Sequence, residues 1–200
     1  MGMTETLREK LNVLLGRRKP VFLRDRKDLK NYEIGRGSYG NLEVIRYRLG
    51  GKISIGSFCS FAEGTVAMLG GDHNPRNIST YPFGVLLGGA RVEAHASSKG
   101  DIRIGNDVWL GRYATVMAGV TIADGAVIGA HSLVTRDVPP YAIAAGNPAR
   151  VVRVRFPDDT IAKLLKIKWW DWPDSRILEY AELLLSEDME EFLLRAFTQP

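Results

Sequence analysis

Residues 104–138 read IGNDVW-LGRYAT-VMAGVT-IADGAV-IGAHSL-VTRDV, and written in sixes the stretch repeats the character of its first letter. Ile104, Leu110, Val116, Ile122, Ile128 and Val134 are all branched aliphatics. Such residues form about a quarter of the chain, so six hits in succession would arise by chance in roughly one window in 4,000. Four residues after each anchor stand Val108, Ala114, Val120, Ala126, Ser132 and Val138, all small or β-branched. Glycine follows the anchor directly at Gly105, Gly111 and Gly129.

The same period runs earlier, through Leu49, Ile55, Phe61 and Ala67, with Ile53, Cys59 and Thr65 four residues on. Ile34-Gly35-Arg36-Gly37-Ser38 reads as an isolated first rung. The two blocks are out of phase, so an insertion separates them, covering residues 70–98. A period of six fits neither an α-helix nor an alternating amphipathic strand. It fits short flat strands joined by tight corners, each anchor pointing inward, with successive rungs stacked at about 4.8 Å. The expected architecture is an all-β core, a parallel β-helix of hexapeptide repeats. Cys59 falls on an inward position and reads as a core filler.

Either side the pattern changes. Residues 1–30 form an N-terminal helical or irregular segment, with apolar spacing over Glu5–Leu15 compatible with a short amphipathic helix. The repeat domain spans 31–156, and 157–200 is a helical tail, with helices over Thr160–Lys168, Asp174–Leu185 and Ser186–Phe197. Between the first two helices, Trp169-Trp170-Asp171-Trp172-Pro173 places three tryptophans in four residues, a set suited to pinning the tail against the repeats.

The 200 residues carry a net charge of +4, mostly in local runs such as Arg17-Arg18-Lys19. No basic and aromatic interleaving suggests a nucleic-acid groove. One cysteine rules out an internal disulfide and a cysteine-rich metal site. The chain shows no membrane-spanning run and no signal-peptide core, which leaves the cytoplasm as the expected location.

The chemistry-bearing residues cluster in and after the insertion: Gly70-Gly71-Asp72-His73-Asn74, then Ser79-Thr80-Tyr81-Pro82-Phe83, Lys99-Gly100-Asp101-Ile102 and Asn106-Asp107-Val108-Trp109. The repeats close on Asp137-Val138-Pro139-Pro140-Tyr141 and Gly146-Asn147-Pro148-Ala149-Arg150. This ordered set, over about residues 30–175, resembles the xenobiotic acetyltransferases, the streptogramin and hexapeptide-type chloramphenicol enzymes, and related sugar and polysaccharide O-acetyltransferases. The resemblance implies a left-handed β-helix, acetyl-CoA as co-substrate, a homotrimer with active sites between subunits, and His73 as general base. A free alcohol is scarcely ionised at neutral pH, and histidine is the side chain suited to removing its proton. Asp72 or a backbone carbonyl could orient the imidazole.

The same resemblance puts Asn147, Pro148 and Arg150 near the nucleotide end of the cofactor. Arg153 joins Arg150 as a candidate for its phosphates, and an outward Trp109 as a candidate for its groove. No glycine-rich phosphate loop is present, so cofactor contact rests on the fold. Asn74, Arg76, Asn77 and Tyr81 are the candidate acceptor contacts, a hydrogen-bonding set that suits a sugar hydroxyl or amino group. The segment Asn74–Ile78 is one residue longer than in the antibiotic-modifying members, again nearer the sugar branch. An antibiotic acceptor is the alternative, with Phe83, Val85, Leu86 and Leu87 able to form an apolar wall. Two other classes fit the sequence less well. The three histidines His73, His95 and His131 lack the spacing of a zinc hydratase site, so no metal is expected. A non-catalytic rod would not need a long histidine-bearing insertion.

Overall fold

In the computed structural model, residues 21–47, 50–88 and 96–198 are described. The chain runs through β1 (Glu33–Ile34), β2 (Tyr39–Arg46), β3 (Ile53–Ile55), β4 (Ser60–Leu69), β5 (Asp72–His73), the short α1 (Phe83–Leu86) and β6 (Ala96–Ser97). There follow β7 (Ile102–Ile104), β8 (Trp109–Leu110), β9 (Thr115–Met117), β10 (Thr121–Ile122), β11 (Val127–Ile128) and β12 (Leu133–Val134). The last strands, β13 (Ala142–Gly146) and β14 (Ala149–Val154), lead into α2 (Asp158–Ile167), α3 (Asp174–Glu179), α4 (Ala181–Leu184) and α5 (Met189–Thr198).

The anchors stack as aliphatic ladders. Ile34, Ile55, Ile104 and Ile122 are successive partners in one parallel sheet. Phe61, Leu110, Ile128 and Ala144 form a second ladder, and Val44, Ala67, Val116 and Val134 a third. From Ile104 to Ile122 the partner spacing is 18 residues, three hexads per coil. From Ile55 to Ile104 it is 49, and the surplus of 31 is the insertion. Every anchor from Ile104 to Val134 is at most 4% exposed. Fully burying such a side chain contributes roughly 1.5–3 kcal/mol, so the ladders carry the fold. Cys59 lies among them at 0% exposure, and burial pushes its thiol up to about 12.

The corners explain the glycines and several aromatics together. Gly37, Phe58, Asp107, Gly125 and Tyr141 all have positive φ and form one column, each N–H from Phe58 on bonding a carbonyl of the coil before. Gly64, Tyr113 and His131 form a second such column. Where glycine turns the corner, the ring of the next residue in the column fills the space. A Cβ on Gly64 would stand 2.2 Å from the Tyr113 ring, and one on Gly125 would stand 2.4 Å from the Tyr141 ring.

The tail buries its own cluster, with Trp170, Trp172, Tyr180 and Phe192 each at most 8% exposed and Tyr141 reaching in from the corner. Arg36 ties it down, donating to the Trp170 and Trp172 carbonyls and pairing with Asp174. The single helix expected over Asp174–Leu185 is divided at Tyr180, whose ring is packed against Trp172 at 5.0 Å. Ring burial there prevails over helical continuity. The helix expected at Glu5–Leu15, and His95, lie outside the described residues. Among the described residues no helix is long and apolar enough to cross a membrane.

Candidate active site

The insertion opens with Gly70 and Gly71, at φ +88° and +90°, which turn the chain out of β4. A side chain on Gly71 would meet the Tyr47 ring at 2.5 Å, so the turn requires glycine both for its backbone angle and for space. The next two residues form β5, paired antiparallel with β6 through Asp72 with Ser97 and His73 with Ala96. His73 is thus carried on a short ladder outside the aliphatic core, with its side chain exposed.

His73 Nδ1 lies 2.6 Å from the Thr80 carbonyl oxygen. A carbonyl can only accept, so the proton sits on Nδ1 and the Nε2 lone pair is left for chemistry. This answers the choice left open by the sequence, in favour of a backbone carbonyl over Asp72. A main-chain oxygen has no side-chain signature, so sequence could not have picked out Thr80.

The candidate acceptor residues surround the histidine in sequence and line the same loop. Asn74 Oδ1 accepts from the Arg76 N–H at 3.0 Å, and the Asn74 carbonyl accepts from the Asn77 N–H at 3.2 Å. Asn74 therefore shapes the turn after His73. Arg76 is exposed, and Asn77 is half-buried. Tyr81 stacks on Phe83 with ring centroids 4.8 Å apart. Beside these polar groups the loop also presents apolar surface, with Ile78, Phe83, Leu86 and Leu87 all exposed.

The candidate cofactor residues come together on another surface. Trp109 is exposed while its neighbours Val108 and Leu110 are buried, as the alternation predicted. Trp109, Val127, Ile143 and Arg153 are successive partners across four strands, a row of roughly 14 Å. Arg150 pairs with Ala145, two residues from Ile143. A register shift at Ile143/Ala144 lets Arg150 and Arg153, three apart in sequence, lie opposite residues of one face. Uninterrupted strand geometry would have set them on opposite faces. Asn147 and Pro148, joined by a cis peptide, form the exposed hairpin turn at the end of this surface.

His131 stacks on Tyr113 at 5.1 Å in the second corner column, away from the loop that carries His73. Among the described residues no three His, Cys, Asp or Glu side chains converge as a metal site.

The bacterial transferase hexapeptide family (six repeats) matches residues 101–136. A chloramphenicol acetyltransferase of Agrobacterium fabrum is 47% identical over 140 residues, 68% of this chain and 67% of that protein. A probable macrolide acetyltransferase of Lysinibacillus sphaericus is 42% identical over 166 residues, 80% of this chain and 92% of its own. The solved maltose O-acetyltransferase of Clostridium difficile 630 aligns with a TM-score of 0.49 and 30% identity, over 64% of this chain and 60% of that one. The chain belongs to the hexapeptide-repeat acyltransferases, in the xenobiotic acetyltransferase class. It is an acetyltransferase.

Proposed function

We propose that His73 is the general base of this transfer, taking the acceptor hydroxyl proton on Nε2. The observation that carries the reading is the Nδ1 contact to the Thr80 carbonyl, which orients the ring and selects the basic nitrogen. Acetyl-CoA supplies the activated acyl group as a thioester. Its arm fits along the outward row from Trp109 to Arg153. Asn147 and Pro148 lie at the nucleotide end, and the two guanidiniums, Arg150 and Arg153, meet its phosphates.

The finer architecture belongs to the same reading. The coils form a β-helix over residues 31–156, supported by the 18-residue register and the positive-φ corner columns, and its left hand follows from the hexapeptide-repeat family. The N-terminal stretch precedes it, with Leu23 and Leu29 buried in the coil core, and 157–200 form the tail. The enzyme is a cytoplasmic homotrimer, and its active sites lie between subunits because an outward surface becomes a cleft only when another copy faces it. A monomer with full activity in light scattering and assay would refute the shared site.

Two acceptor classes fit the loop. Asn74, Arg76, Asn77 and Tyr81 supply hydrogen-bonding groups for a carbohydrate hydroxyl. The exposed Ile78, Phe83, Leu86 and Leu87, together with the names of the relatives above, favour an antibiotic hydroxyl. A screen of acetyl-CoA consumption over amino sugars, nucleotide sugars, chloramphenicol, macrolides and streptogramins decides between them. Turnover confined to sugars selects the first class, and turnover confined to antibiotics the second. No turnover, with no acetyl-CoA binding, would return the chain to a scaffold role.

A further inference from the structure

The Thr80 carbonyl that receives the His73 Nδ1 proton belongs to the peptide unit joining Thr80 to Tyr81. The N–H at the other side of that unit, on Tyr81, donates to the Ser79 Oγ at 3.1 Å. A single peptide plane therefore lies between the serine hydroxyl and the imidazole. The Thr80–Tyr81 bond is trans. A trans peptide is flat, with its N–H and C=O pointing in opposite directions, so pinning the N–H also sets where the oxygen points.

Burial does not hold this plane. Ile78 is 110% exposed, and Ser79 and Thr80 are exposed as well. The contacts further along the loop act on later peptides. The Tyr81 carbonyl accepts from the Phe83 N–H at 2.9 Å, and the Tyr81 ring stacks on Phe83. The Thr80–Tyr81 plane can turn about the single bonds on either side of it unless its N–H is held, and the Ser79 hydroxyl holds it. A hydroxyl that reaches the N–H two residues on is a familiar local closure for serine. Here the closure falls on the one peptide whose oxygen bonds His73. It also polarises that peptide, which makes the Thr80 oxygen a stronger acceptor for the Nδ1 proton.

We propose that Ser79 is a positioning residue for acetyl transfer. Through the Thr80–Tyr81 peptide it holds His73 in the tautomer with the proton on Nδ1 and the lone pair on Nε2. Its importance for turnover rests on the reading of His73 as general base, whereas its hold on the ring does not.

The test compares wild type, Ser79→Ala and Ser79→Thr in the full chain by two readouts. Nitrogen-15 NMR of histidine-labelled protein, with the His73 signals assigned by their loss in His73→Ala, reads the tautomer directly and needs no acceptor. Release of the CoA thiol, on the acceptor that the screen returns, reads kcat and KM. Wild type and Ser79→Thr, which keeps the hydroxyl on the same carbon, should show a protonated Nδ1 and a bare Nε2. Ser79→Ala should show the mixed tautomers of an unconstrained imidazole. Its kcat should fall about tenfold or more, short of the loss in His73→Ala, with acceptor KM and acetyl-CoA binding within about twofold of wild type. All three proteins should melt at nearly the same temperature, because the serine is exposed. An unchanged tautomer in Ser79→Ala overturns the proposal at any level of activity, and so does a Ser79→Thr variant that behaves like Ser79→Ala in both readouts. A raised acceptor KM with kcat intact overturns it too, by making Ser79 an acceptor contact. Mixed tautomers with wild-type kcat would uphold the hold of Ser79 on the ring and overturn His73 as the base.

Discussion

Replacing His73 with alanine should separate chemistry from folding more cleanly than any other change in this chain. The imidazole is exposed and stands outside the aliphatic ladders, held by the Nδ1 hydrogen bond to the Thr80 carbonyl. The pairing of β5 with β6 runs through the backbone and survives the truncation. The stability cost is then one exposed hydrogen bond, about 1 kcal/mol or less. Loss of a general base costs roughly 10²- to 10⁴-fold in kcat, or about 3–5 kcal/mol in the barrier. His73→Asn sharpens the comparison, because its amide can still donate toward Thr80 yet cannot serve as a base. Both variants should melt near the wild type, bind acetyl-CoA normally and lose turnover together. The assay is release of the CoA thiol, followed with a disulfide reagent on whichever acceptor the screen returns. A folded His73→Ala enzyme turning over within tenfold of wild type would remove His73 from the mechanism.

Four further outcomes follow from the packing and the loop. Ile128→Ala, at 1% exposure in the second ladder, should cost about 2–5 kcal/mol and lower the melting temperature without changing the acceptor KM. Gly125→Ala must place a Cβ 2.4 Å from the Tyr141 ring at φ +69°, and should destabilise by at least about 1–3 kcal/mol in denaturant unfolding. Cys59 should resist thiol reagents in the native protein and react on unfolding. Its folded thiol is raised from 9.0 to about 12, so the folded state holds the proton longer, and this group's contribution is intact below pH 9 and lost as pH rises toward 12. A triple variant with Asn74, Arg76 and Asn77 changed to alanine should raise the acceptor KM several-fold and leave acetyl-CoA binding unchanged.

The repeat was legible because each anchor is a local requirement repeated every six residues, and inward aliphatics such as Ile104, Leu110 and Val116 state it directly. The insertion was legible for the complementary reason, since it breaks the phase between Ala67 and Ile104. The histidine stood out by chemistry and by its place in that break. Other features had no letter of their own. The division of the tail at Tyr180 follows from where Trp172 and Phe192 lie in space. The shared face of Arg150 and Arg153 depends on a register shift between β13 and β14, and a spacing of three taken alone predicts the opposite.

Sequence by itself thus determined the stacked parallel coils, the inward residues and the helical tail, and it singled out His73 as the candidate base, because all of these are written in local spacing and side-chain type. Only the tertiary structure decided which nitrogen of His73 is basic, since that rests on a backbone oxygen seven residues away. It alone also decided that Tyr141 is buried with Trp170, Trp172 and Phe192, since that depends on helices packing against a corner distant in sequence. Hydrogen-bond partners and cavities belong to pairs of elements, and no single stretch of residues encodes them.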